Sequence, residues 1–154
     1  MNESQKPPIN APERAHDVPP SEIFAEFMKS GWIPTPLDGV IQDEVIGYCV
    51  LRRSQLSDAF KSTRLVIPSG SAKQRSNDTD YLYRPHSAFA YYTGVQGVEA
   101  QPDSVLVMEP SDGGHEPILF INPRSTRESE AFYQDAKNGE LWVGRRFTTD
   151  EASE

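Results

Sequence analysis

His16, His86, His115 and Cys49 are the side chains of this sequence best suited to metal binding or nucleophilic attack, and their spacing supports neither. No two histidines stand four residues apart, the separation that puts two imidazoles on one helical face to bind zinc. His115-Glu116 sits in a Gly-rich turn and reads as a solvated pair. Cys49 falls on an apolar stripe, where a thiol acts as a small buried hydrophobe, and no histidine follows it in a recognisable order. A single cysteine also excludes an internal disulfide and a cysteine-rich zinc site. The carboxylates gather towards the termini. None stands with another at a well-defined strand end, where a general acid and base need rigid placement. Phosphate-cradling glycine loops and the Gly-x-Ser-x-Gly nucleophile turn are absent from the sequence. The residues themselves therefore offer no catalytic set and no metal ligands.

The segment Asp80–Gly94 is different in kind. Tyr81, Tyr83, Tyr91, Tyr92, Phe89, Arg84 and His86 occur there with little aliphatic filler. Aromatics beside an arginine compose interfaces and pocket walls. A Tyr-rich sheet edge whose hydroxyls reach water has the same composition, and the residues leave both readings open.

Several elements must position that segment. Ser21 reads as an N-cap, with Ile23, Phe24 and Phe27 on one face of a helix over Ser21–Lys29 that stops at Ser30-Gly31. Trp32–Asp38, with Pro34 and Pro36, reads as an extended linker. Apolar residues at 41, 45, 48, 49, 56 and 60 have helical spacing, with Arg52, Arg53, Gln55 and Asp58 at the polar positions. Arg64–Pro68 is a short apolar strand, and Asp80–Pro85 an extended edge segment. Ser87–Gly94 is ambiguous, with Ser87 able to cap a helical turn and Gly94 to end it. Ser104–Met108 and Pro117–Ile121 form a hairpin around Ser111–Gly114. Ser125 and Glu128 make a capping box for a helix reaching about Lys137, closed by Asn138-Gly139. Trp142–Arg146 reads as irregular, and Thr148–Ala152 opens a helix that the sequence does not complete. The natural arrangement is α/β, a mixed sheet flanked by helices and C-terminally incomplete.

Length and charge narrow the function. The 154 residues suit one domain, and five prolines in residues 1–20 predict a disordered Pro-rich tail ahead of a domain over 21–154. Lys+Arg number 15 against 23 Asp+Glu, a net charge of −8, so phosphate backbones and anionic membrane surfaces repel the chain. No nucleic-acid or membrane partner is expected. No apolar run is long enough to span a bilayer, and Met1–Asn10 lacks the apolar core of a signal peptide. The expected location is the cytoplasm, where the two Asn-x-Ser/Thr patterns, at Asn2 and Asn77, are chance matches.

Read in order, several pieces resemble a known family. Arg52-Arg53-x-x-Leu56-x-x-x-Phe60 is followed by a short apolar strand and by Arg75-Ser76-Asn77-Asp78-Thr79-Asp80-Tyr81-x-Tyr83-Arg84. Then come Ser87-x-Phe89-x-Tyr91-x-Thr93-Gly94, Leu119-Phe120-Ile121-x-Pro123-Arg124 and Trp142-x-Gly144-Arg145-Arg146. This order, from about Val45 onward, resembles the N-terminal domain of Xaa-Pro aminopeptidases (aminopeptidase P), a domain also found in creatinase and prolidase. The resemblance implies a mixed sheet with flanking helices, joined in the whole enzyme to a "pita-bread" catalytic domain. That second domain holds two manganese ions and removes a residue preceding proline, using a metal-activated water. It implies no catalytic residue, metal ligand or cofactor within this chain, which is expected to be inactive alone. The implied partners are the catalytic domain, neighbouring subunits of a homo-oligomer and, for the whole enzyme, short Xaa-Pro peptides. Carried over residue by residue, Asp80, Tyr81, Tyr83, Arg84, Ser87, Phe89, Tyr91, Thr93 and Gly94 become candidates for domain architecture or for a surface facing an active site. Ala90 stands where some relatives carry tryptophan, which removes an aromatic able to cover a substrate. The alternative function is a free-standing binding or regulatory module acting through the Tyr-rich face.

Overall fold

A computed structural model describes residues 21–33, 44–77, 79–149 and 152. The proline-rich residues 1–20, most of the linker and the expected helix start at Ile41 lie outside the described residues.

Helix α1, Glu22–Lys29, begins where the sequence predicts: the Ser21 hydroxyl accepts the Phe24 amide at 3.3 Å. It ends at Ser30, followed by Gly31 at φ 78°. Of the expected face only Phe24 meets the core, its ring edge-on to Tyr133 with centroids 6.4 Å apart. Ala25 packs with Phe132 and Tyr133, joined by Met28, while Ile23 and Phe27 are exposed. Helix α2, Val45–Ala59, buries Cys49 completely, so this thiol is a core atom as predicted. Tyr48 and Phe60, on the predicted stripe, stay exposed.

Strands β1 (Leu65–Pro68), β4 (Val105–Ser111) and β5 (Gly114–Phe120) form one sheet in the order β1-β4-β5. A small ribbon pairs β2 (Gln74–Ser76) with β3 (Thr79–Asp80). The α/β class holds, and every pairing among the described residues is antiparallel. Register places Leu65 opposite Met108 and Ile67 opposite Leu106, so one face of β1 and β4 is apolar. Phe89, Leu106 and Met108 centre the core there, with Leu56, Leu65, Ile67, Tyr92, Val95 and Leu119 around them. The hairpin turn is tighter than predicted, because Ser111 already pairs with Gly114.

Helix α3, Ser87–Thr93, resolves the ambiguous segment as helix. Its N-cap is His86, one residue before the expected Ser87, and Gly94 closes it at φ 78° as predicted. The edge segment expected over Asp80–Pro85 is strand only to Asp80; residues 81–86 are irregular.

Three further expectations change. The capping box does not nucleate a long helix: α4 is the single turn Ala131–Gln134, and the Ser125 hydroxyl is buried without a partner. Two local competitors explain this. Arg127 leaves the helical path to bond the Ile33 carbonyl and Glu140, the latter at 2.9 Å. Asp135 accepts the amides of Lys137 at 2.9 Å and Asn138 at 3.0 Å, which stops propagation. Trp142 and Val143, expected to be irregular, instead complete α5, Glu140–Val143. Gly139 starts it, in a space where a Cβ would lie 2.5 Å from the Ala131 carbonyl oxygen. His115 is half-buried and held on both ring nitrogens: its Nδ1 lies 2.8 Å from the Ser57 hydroxyl and its Nε2 2.8 Å from the Thr63 carbonyl, tying the hairpin to the end of α2.

Candidate functional site

The candidate residues divide by depth. Phe89 is fully buried and belongs to the core. The Thr93 hydroxyl donates to the Phe89 carbonyl at 2.7 Å and accepts the Val95 amide at 3.1 Å, closing the end of α3. A Cβ on Gly94 would come within 3.4 Å of Cys49 Sγ and Val45 Cγ1. These three residues hold α3 against the core and close its end.

Tyr91 faces out from the junction of α2 and α3. Its carbonyl accepts Arg52 Nη1 at 3.0 Å, and the Arg52 guanidinium lies 4.1 Å from its ring centroid. Its ring stands edge-on to Tyr92, centroids 5.1 Å apart. Arg53 Nη1 donates to the Tyr92 carbonyl at 2.6 Å. The two arginines assigned to polar positions are thus what fastens the aromatic run to α2.

Asp80, Tyr81, Arg84 and Ser87 are exposed, with half-buried Tyr83 among them. Tyr81, Tyr83, Arg84 and Ser87 line a depression of about 460 Å³ together with Ser71, Lys73 and His86. The wall is fixed from behind. The Tyr83 hydroxyl reaches the carbonyls of Ser69 at 3.0 Å and Gly70 at 3.1 Å. Ser69 is fully buried, its hydroxyl donates to the Gln101 carbonyl at 3.0 Å, and its carbonyl accepts the His86 amide at 2.9 Å. The His86 ring lies against Gly70, whose φ is 84°.

Charge around this depression is unevenly used. Asp103, close by, is held by Lys137 at 2.6 Å and by Ser71 at 2.5 Å, and these bonds keep its carboxyl below the usual range. Arg146 is buried, with Nε and Nη1 unpartnered, and burial lowers its pKa while Asp135 and Tyr83 oppose that. Lys73, His86 and Arg146 were not singled out as site residues. Lys73 carries no local mark, whereas His86 stands in the Tyr-rich segment and Arg146 in the Trp142-x-Gly144-Arg145-Arg146 motif; it is the fold that gathers Lys73 and His86 beside Tyr83. Among the described residues no three His, Cys, Asp or Glu side chains converge to hold a metal ion. These residues therefore offer no donor set for the pair of manganese ions implied for the whole enzyme.

A family model described as "Aminopeptidase P, N-terminal domain" matches residues 49–154. Xaa-Pro aminopeptidase 1 of Streptomyces coelicolor is 45% identical over 134 residues, 87% of this chain and 26% of that protein. Xaa-Pro aminopeptidase 2 of the same organism is 40% identical over 133 residues, 86% of this chain and 27% of that protein. In structure the chain is similar to aminopeptidase P of Escherichia coli in its low-pH form. The TM-score is 0.56 and the identity 27%, covering 72% of this chain and 22% of the other. The chain spans about a quarter of the length of these relatives. No helix among the described residues is long and apolar enough to cross a membrane.

Proposed function

Since the chain belongs to the aminopeptidase P N-terminal domain family, we propose that it serves as the non-catalytic part of an Xaa-Pro metalloaminopeptidase. Hydrolysis of the bond before a penultimate proline then belongs to a manganese-bearing catalytic domain, and this domain shapes subunit contacts and access to that site. The observation that carries the reading is the outward face of Tyr81, Arg84, Ser87 and Tyr91, mounted on a scaffold whose own polar groups are internally satisfied at Tyr83 and Thr93. A surface fixed this way loses little entropy on meeting a partner.

The domain is taken to run over 21–154. Support for including α1 comes from Ala25 and Met28 against Phe132 and Tyr133, and from Trp32 set edge-on to Phe132 with centroids 5.1 Å apart. Asp80, Tyr81, Arg84, Ser87 and Tyr91 are assigned to the partner-facing surface, and Tyr83, Phe89, Thr93 and Gly94 to the scaffold beneath it. The proposed setting is a cytoplasmic homo-oligomer acting on short peptides.

Hydrolysis of an Xaa-Pro tripeptide by the purified chain, in excess manganese, tests the division of labour. The expected result is no turnover above a chelated control. Turnover that survives metal-free purification controls would overturn it.

A further inference from the structure

The depression between the β2–β3 ribbon and α3 carries a charge opposite to that of the chain. Its lining includes Lys73, Arg84 and His86 and no carboxylate, in a protein of net charge −8. Arg52 and Arg53 are committed to carbonyls, Arg64 to Glu109, and Arg124 and Arg127 to Glu140. Lys73 and Arg84, both exposed, pair with nothing among the described residues. Asp103, the acid tied to the lining residue Ser71, already has Lys137 as its counter-ion. Tyr81 and Leu82 supply an exposed apolar wall beside these cations, Leu82 being 99% exposed.

We propose that this depression binds the C-terminal carboxylate of a short peptide. Arg84 and Lys73 pair with the carboxylate, and Tyr81 and Leu82 cover the adjoining apolar side chain. The depression is open to solvent, and its volume of about 460 Å³ leaves room for a carboxylate and the side chain beside it. A planar carboxylate matches the guanidinium fork of Arg84, and an aromatic and aliphatic wall rewards an apolar side chain that inorganic anions lack. The assignment deepens the proposed function by naming which end of a peptide this face meets, and it rests on that reading.

The test reads binding to the 154-residue chain and not hydrolysis, so its failure is separate from failure of the aminopeptidase reading. The probe is N-acetyl-Ala-Ala-Leu with a free carboxylate, titrated while backbone amide shifts are followed by nuclear magnetic resonance. Saturable shifts confined to residues 71–87 are expected, with affinity falling as salt rises. The C-terminal amide of the same peptide should bind at least about fivefold more weakly, and Arg84→Gln and Lys73→Gln should each reproduce that loss with unchanged melting. Equal binding of acid and amide, or no shifts in this segment, would overturn the proposal. So would inorganic phosphate competing at the peptide's own affinity, because the depression would then be a general anion site.

Discussion

Arg52 meets Tyr91 twice, through a 3.0 Å bond from Nη1 to the backbone carbonyl and through its guanidinium 4.1 Å from the ring centroid. One side chain thereby fixes both the end of α3 and the direction in which its exposed aromatic points. Arg52→Ala should destabilise the chain by about 1–2 kcal/mol, the loss of one hydrogen bond and one cation–π contact. Arg52→Lys should recover only part of this, since an ammonium cannot serve both contacts with one planar group. Urea unfolding of the three proteins checks the order.

Gly94 ends α3 in the left-handed region at φ 78°, with Cys49 Sγ and Val45 Cγ1 waiting 3.4 Å from any added Cβ. Gly94→Ala should cost about 1–2 kcal/mol from the backbone conformation alone. The urea midpoint should fall with an unchanged slope, because the native fold keeps its buried surface.

Gly70 and His86 make a close pair that shapes the depression. A Cβ on Gly70 would sit 2.5 Å from His86 Nε2, and its φ is 84°. Gly70→Ala should therefore lower stability and displace the His86 ring, visible as shifted His86 resonances. Adding His86→Ala should restore the part of the loss due to the clash, while the cost of the backbone conformation, roughly 1 kcal/mol, remains.

Acid should weaken the fold through two exposed pairs. The hydrogen bond from Lys137, then that from Ser71, holds Asp103 below its usual pKa, and the hydrogen bond from Arg64 does the same for Glu109. A depressed folded pKa stabilises fully above the unfolded value, about 3.9 for Asp and 4.3 for Glu, and that stabilisation disappears as pH falls through the folded value. The melting temperature should be level from neutral pH to about 5 and decline below it. Asp103→Asn should make the decline shallower, and added salt should shrink the difference, as both pairs are open to solvent.

Much of the framework was legible because its signals are local. Ser21 and Gly94 bound their helices through capping chemistry, and the apolar runs at 65–68, 105–108 and 117–120 became one sheet. The Ser125–Glu128 capping box misled because Arg127 found better partners in Ile33 and Glu140, both outside that segment. Ile23 and Phe27 looked like a core face, yet α1 docks through Ala25, the small residue that lets it approach Phe132 and Tyr133. In the candidate site, the sequence marked the tyrosines and Arg84 by composition. Lys73 stayed hidden because only the fold brings it to Tyr83, while His86 and Arg146 were in view, in the Tyr-rich segment and the Trp142–Arg146 motif, without being assigned to the site.

We propose that this domain works as one part of a larger Xaa-Pro aminopeptidase. The most direct measurement is the mass of the native gene product in its own cells, detected with an antibody against residues 40–140. A band far above 17.2 kDa is the predicted result, since relatives such as Xaa-Pro aminopeptidase 1 of Streptomyces coelicolor have only 26% of their length in common with this chain. A band at 17.2 kDa alone would contradict it and leave a free-standing module whose partner must be sought at its tyrosine-rich face.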